Sequence, residues 1–293
     1  MKKIFVATLI MLTSMMALAS MEGGMAKTTD MYAPKAGGSE LVPTLTLWTG
    51  KDDGNSTSTA YSGSIFGLEF GHGFSDVFAV YARQEYYNTQ LDFSPGSSTS
   101  KKTGIGDTKV GIKAVIDFGA SFFYYDVGYQ TALLAKSTFN AATNETSGVN
   151  GRPSLQAQAG LGAAFNMLGL GGLYKQYLYQ DGETTNSFAG ASSTTKNKAA
   201  NGSEWKLYAQ LQSHFKLGIA YGESVNDSYD QVTLGLTSTA AKSEYKNIFV
   251  YSIIPIAASS ELFLEIQKQE PKTAATGTTY GHYFVTAAYR MMF

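Results

Sequence analysis

The most regular feature of the chain is an alternation of apolar and polar residues with a period of two. In 107–116 (DTKVGIKAVI), Thr108, Val110, Ile112, Ala114 and Ile116 fall on one face, and Asp107, Lys109, Gly111 and Lys113 on the other. Successive side chains of a strand point to opposite faces, so this stretch predicts a strand with one oily side and one charged side. In 154–165, Leu155, Ala157, Ala159, Leu161, Ala163 and Phe165 oppose Gln156, Gln158, Gly160 and Gly162. In 204–212, Trp205, Leu207, Ala209 and Leu211 oppose Glu204, Lys206, Tyr208 and Gln210. About twelve such segments can be counted, at 40–49, 60–70, 77–91, 104–116, 121–134, 154–165, 168–180, 203–212, 215–224, 243–254, 261–270 and 278–293.

The connections between them alternate in length. Those at 71–76, 117–120, 166–167, 213–214 and 255–260 are short. Those at 51–59, 92–103, 135–153, 181–202, 225–242 and 271–277 are longer and rich in Ser, Thr, Asn and Gly. This layout predicts an all-β fold, a transmembrane antiparallel up-and-down β-barrel with short periplasmic turns and long external loops. Residues 231–237 alternate more weakly and are read as extended structure within the sixth long connection; ten or fourteen strands are the alternative counts. A soluble β-sandwich would also give each strand one apolar face. Against it, only 15% of residues are charged, and they cluster on one face of nearly every strand.

The N-terminus has a different pattern. Lys2 and Lys3 precede an apolar run from Ile4 to Leu18, and Ala17-Leu18-Ala19 fits a small-x-small cleavage site. Residues 1–19 are therefore read as a signal peptide, 20–39 as a short periplasmic segment and 40–293 as the barrel. Removing the two lysines moves the net charge from −1 to −3, which is not the basic footprint of a nucleic-acid binder. The absence of Cys excludes disulfide scaffolds, thiolate metal sites, cysteine nucleophiles and lipid-anchored lipoproteins. No later stretch reaches the roughly 18 apolar residues of a membrane helix.

The chain ends YFVTAAYRMMF, which places Tyr283, Val285, Ala287, Tyr289, Met291 and Phe293 on one face. This resembles the C-terminal strand of Gram-negative outer-membrane barrels. The resemblance implies that Tyr289, Met291 and Phe293 form the signal read by the barrel assembly machinery. A second stretch, 104–113 (GIGDTKVGIK), is similar to the strand entry of outer-membrane proteins encoded with phenol-degradation pathways and of aromatic and fatty-acid transporters. That resemblance implies passage of small solutes. With only about twenty residues before the first strand, the long N-terminal plug of the fatty-acid transporters has no counterpart in the sequence.

Candidate chemistry is sparse. His72 and His214 fall in short turns, and His282 faces inward near the external end of the last strand. A hydrolase needs a nucleophile, a base and an orienting group within hydrogen-bond reach. The residues after His282 are Tyr283, Phe284 and Val285, so the His-x-Ser-Asn pattern of outer-membrane phospholipases is missing. Asp52-Asp53, Asp227 and Asp230 read as solvated loop acids, and 52–55 lacks the spacing of a calcium loop. No catalytic residue, metal or cofactor is assigned. Alternation assigns to the lumen the bases Arg83, Lys109, Lys113, Lys175, Lys206, Lys216, Lys246 and Arg290. It adds the acids Glu69, Glu85, Asp107, Asp126, Glu204, Glu244, Glu261 and Glu265. Outward Trp205, Tyr221, Tyr245 and Tyr283 read as an external aromatic girdle, and Phe70, Phe78, Phe123, Phe165, Phe215 and Phe293 as a periplasmic one.

Twelve strands about 4.8 Å apart and tilted about 40° enclose a backbone radius of about 12 Å, roughly half of it taken by inward side chains. The expected function is a porin-like outer-membrane channel for ions or small solutes, with membrane lipid around it and weak charge selectivity. A closed structural or surface-interaction barrel and an outer-membrane hydrolase are the alternatives. The solute and the oligomeric state are left open.

Overall fold

The computed structural model describes residues 26–53, 57–94, 98–131, 138–140, 145–147, 152–188, 191–233, 235–272 and 279–293. The assigned signal peptide lies outside them. Twelve strands form the wall: β1 Ser39–Asp53, β2 Ser58–Ser75, β3 Phe78–Ser94, β4 Ser98–Asp117, β5 Ser121–Thr131 and β6 Ser154–Phe165. They continue with β7 Leu168–Tyr179, β8 Ala200–Gln212, β9 Lys216–Asn226, β10 Ser243–Ala257, β11 Ser260–Pro271 and β12 Thr279–Met292. Each pairs antiparallel with its sequence neighbours, and β1 closes on β12 from Glu40↔Met292 to Asp53↔Thr279. Closure leaves no strand edge, which a sheet surrounded by lipid requires.

Several strands run beyond the alternating segments, because ladder pairing continues into polar sequence above the apolar belt. Part of the long connections is ordered as well. Gly182–Phe188, Ala191–Asn197, Tyr229–Thr233 and Leu236–Ala240 build a separate four-stranded sheet from the connections after β7 and β9. Of the weakly alternating 231–237, residues 231–233 and 236–237 thus belong to accessory strands, and the wall keeps twelve strands.

The outer surface carries the apolar faces. Leu47, Leu161, Leu207, Ile219, Ile248 and Ile266 are all at least half exposed on it, which in water would be a large unburied patch. At the short-turn end, Phe70, Phe165 and Phe293 are exposed on the same outer surface, and Tyr221 and Tyr283 lie towards the other end. Among the described residues no helix is long and apolar enough to cross a membrane; the strands do so.

One irregularity places side chains inside. Gln84 pairs with Thr108 and Tyr86 with Ile105, so Gly106 and Asp107 together oppose Glu85 as a β-bulge. A Cβ on Gly106 would stand 2.2 Å from the Tyr87 ring, so a side chain here would displace that ring. The freed Gly106 carbonyl accepts a hydrogen bond from Gln84 Nε2 at 2.8 Å. The Gly-x-Gly-Asp stretch therefore turns Asp107 into the bore; it cradles no phosphate.

The interior is not filled by strand side chains alone. Residues 26–36, in the stretch assigned from sequence to a periplasmic segment, enter the barrel at the short-turn end and fold back inside it. Gly37 N donates to Gly73 O at 2.7 Å where the segment joins the wall. At its inner bend Thr28 Oγ1 accepts from the backbone of Asp30 and Met31 at 3.3 and 3.2 Å, a local turn that needs no helix or strand. Met31 is fully buried at the centre of a core formed by Val42, Tyr124, Leu173, Tyr208, Phe249, Tyr251, Ile253 and Phe263. Gly160 lets Met31 reach the far wall, since a Cβ there would stand 2.5 Å from the Met31 sulfur. A short internal plug thus exists where the sequence offered no counterpart to a long one.

Candidate functional site

Fourteen of the sixteen charged side chains assigned to the lumen face inward. The two exceptions, Glu244 and Lys246, are corrected by the parity of β10. Asn247, Phe249, Tyr251 and Ile253 are buried while Ile248 and Val250 are exposed, so even-numbered residues there point out. Glu244 meets Lys242 at 2.5 Å at the rim, where it borders the mouth of the bore rather than its interior, and Lys246 is exposed. Tyr245 correspondingly points inward and leaves the external girdle, where Trp205, Tyr221 and Tyr283 remain on outward positions. The reason is the plug. Apolar inward residues of β10 pack on the segment around Met31, so the rule that charge marks the lumen face fails on this strand.

The inward charges are organised around the segment. Arg290 Nε donates to Glu40 at 2.7 Å, Nη1 to Glu261 at 3.0 Å and Nη2 to the Ala33 carbonyl at 2.8 Å. Lys113 lies 2.6 Å from Glu40 and 2.5 Å from Glu69, with the Tyr32 ring centroid 4.0 Å from its nitrogen. On the opposite wall Asp30 pairs with Lys206 at 3.0 Å and accepts the Tyr208 hydroxyl. Thr29 Oγ1 donates to Glu265 at 2.8 Å, and Lys27 meets Asp117 at 2.5 Å. Ala26 N donates to Glu261 at 3.1 Å, while its carbonyl accepts Lys216. These charges have left bulk water, and each is met by an opposite charge or a polar group, as burial demands.

On the long-loop side of this layer lies a cavity of about 400 Å³, floored by Thr29, Asp30 and Tyr32. Its walls carry Glu69, Arg83, Glu85, Asp107, Lys109, Lys113, Asp126 and Lys175 together with tyrosines and glutamines. Lys109 meets Asp126 at 3.0 Å, Tyr81 donates to Asp126 at 2.6 Å, and Arg83 meets Glu85 at 2.9 Å. A second cavity of about 260 Å³ lies at the short-turn end, lined by Ala33, Pro34, Asp76 and Val115. Tyr32 with Lys113 borders the first cavity, and their near neighbours Ala33 and Val115 border the second.

The long-loop mouth holds a third cavity, of about 590 Å³, containing His282. Trp48 Nε1 donates to His282 Nδ1 at 3.1 Å, and His282 Nε2 lies 2.9 Å from Asp52 Oδ1. Nδ1 is thereby an acceptor and Nε2 carries the proton, so both ring nitrogens are occupied within the wall. Asp52, read as a loop acid, is an inward residue of β1. Among the described residues no group of His, Asp and Glu could hold a metal ion.

Sequence reasoning missed Glu40, Asp30, Tyr32, Trp48 and Asp52 as interior residues. The parity of β1, on which Val42 and Thr44 alternate with Leu45 and Leu47, would have found Glu40, Trp48 and Asp52. Nothing periodic marks Asp30 or Tyr32, which lie in irregular backbone.

No protein-family model and no curated protein sequence matches the chain. Solved structures do. An outer membrane channel from Pseudomonas putida F1 is similar over 92% of this chain and 100% of that one, with a TM-score of 0.64 at 12% identity. The transport unit of the autotransporter AIDA-I from Escherichia coli covers 96% of each chain, with a TM-score of 0.57 at 12% identity. TodX, described as a monoaromatic hydrocarbon channel, covers 89% of this chain and 91% of its own, with a TM-score of 0.50 at 7% identity. What is shared at such identities is the fold. The fold is that of the bacterial outer-membrane β-barrel.

Proposed function

We propose that the chain is an outer-membrane channel for passive passage of ions or small polar solutes, with its bore narrowed by residues 26–36. The observation that carries this reading is the polar cavity of about 400 Å³ inside a closed barrel, with a second cavity beyond the Tyr32–Lys113 contact. Charged and polar side chains around such a space favour hydration, and ions and small polar solutes cross a hydrated space readily. The short-turn end, where Phe293 lies, is the periplasmic one, and Tyr289, Met291 and Phe293 serve as the assembly signal. Inward acids and bases nearly balance, so opposed charges cancel within a Debye length of about 10 Å at 0.1 M salt and selectivity is weak. The reading gives His282 a place in the wall, with its ring nitrogens bonded to Trp48 and Asp52.

A closed barrel is the second reading, favoured by the buried layer around Met31. Flux through proteoliposomes separates the two. Under the channel reading small sugars and salts equilibrate faster than in protein-free vesicles, with a steep size cutoff. Vesicles as tight as the protein-free control would establish the closed barrel instead.

A further inference from the structure

The cavity on the long-loop side of Met31 engages its charges unequally. Each of its carboxylates is met by a base, a phenol or an amide: even Asp107, turned in by the bulge, accepts from Gln130 at 3.3 Å. Lys175 differs. Among the described residues its side chain makes no hydrogen bond and has no carboxylate within 4.0 Å, and its nitrogen lies 4.7 Å from the centroid of the Tyr177 ring. Of its two cross-strand neighbours, Glu204 is turned to Lys206 at 3.4 Å, and the side chain of Gln158 is without a hydrogen-bond partner among the described residues; Lys175 and Gln158 both line the cavity. An ammonium offers three donors and a glutamine amide two more, all left unspent by the protein.

We propose that this cavity is a binding subsite for a small hydroxylated monocarboxylate, its carboxylate held by Lys175 and Gln158. The inference rests on the channel reading only in that the solute reaches the cavity through the bore. The volume of about 400 Å³ falls within the range of small-molecule pockets. The rest of the lining, ion-paired side chains with phenols and amides rather than aliphatic groups, suits hydroxyl groups. The facing carboxylates do not compete for the ammonium at contact distance, because Glu204 and Asp30 are both held by Lys206, and Asp126 by Lys109. The lining carries five acids and four bases, and Arg83, Lys109 and Lys113 are each paired with a carboxylate, so a second negative charge on the solute would find no partner.

Gluconate, sorbitol and glucarate share one carbon skeleton and differ in carboxylate number, which makes them the probes. Titrated calorimetrically into the detergent-solubilised full barrel, gluconate binds, while sorbitol and glucarate bind at least about tenfold more weakly, the weight of one charge-assisted hydrogen bond. Lys175→Gln loses gluconate binding by a similar factor, and Lys175→Arg keeps it. Heat-modifiable electrophoretic migration confirms that both variants fold. Absence of gluconate binding to the wild type, equal binding of sorbitol, or undiminished binding by Lys175→Gln overturns the proposal. Gluconate binding by a barrel that carries no current leaves the subsite standing and removes the channel reading.

Discussion

Lys113 ties two wall strands to the internal segment. It bridges Glu40 and Glu69 from two neighbouring strands and lies over Tyr32 of the internal segment, all within 4.0 Å. Replacing it with Met would leave two buried carboxylates facing each other, and removing one partner of a buried ion pair costs about 3–5 kcal/mol. Lys113→Met is therefore expected to lower the unfolding midpoint clearly in a urea titration followed by heat-modifiable migration. Lys109→Met is expected to cost less, because Asp126 keeps the Tyr81 hydroxyl at 2.6 Å. For the same reason a charge reversal at Lys109 tests selectivity better than one at Lys113, where three carboxylates would converge. The inward direction of Lys113, Glu69 and Asp126 is legible from alternation alone. The pairing of Lys113 with Glu40, and the contact of Lys113 and Glu69 with Tyr32, are not, because partners across a barrel come from distant sequence and the segment has no period to read.

At the scale of single strands, the sequence is most informative where one face meets lipid and the other meets water. β4 and β6 show this, and their register follows directly from the alternation. β10 does not, since Phe249, Tyr251 and Ile253 are inward and apolar while Glu244 and Lys246 are outward and charged. Lipid and an internal core both select apolar residues, so composition alone cannot distinguish the two faces there. A one-residue change of assignment flips every side chain, which makes the parity testable. Ile248→Arg puts a charge on the lipid face and is expected to cost about 2–4 kcal/mol, whereas Tyr245→Phe on the inward face is expected to be mild. Folding yields into lipid vesicles measure both, and equal tolerance would contradict the assigned faces. The bulge in β4 gives a second test. Gly106→Val collides with the Tyr87 ring and should lower folded yield, while Ile105→Val, exposed on the outer surface, should not.

Across the whole molecule, the strand count, the direction of the wall and the girdles of Phe and Tyr follow from patterns repeated around the circumference. The segment that decides how open the bore is follows from no repeat. Its burial depends on space created only when twelve strands close, and on Gly160 yielding room for Met31. Under the proposed channel function, passage therefore turns on the least regular part of the chain. Near balance of interior charge predicts a reversal potential close to zero in a salt gradient. Lys109→Glu should move it towards cation selectivity, and an unchanged potential would place that residue off the ion path. The most direct measurement compares the single-channel conductance of the wild type with that of a variant carrying Asp30→Ala, Met31→Gly and Tyr32→Ala. These changes release the segment from Lys206, from the core and from Glu69 without touching a wall strand. If residues 26–36 restrict a conducting bore, the wild type conducts in small steps and the variant in steps several-fold larger. Identical conductance in the two proteins, or none in either, would contradict the account.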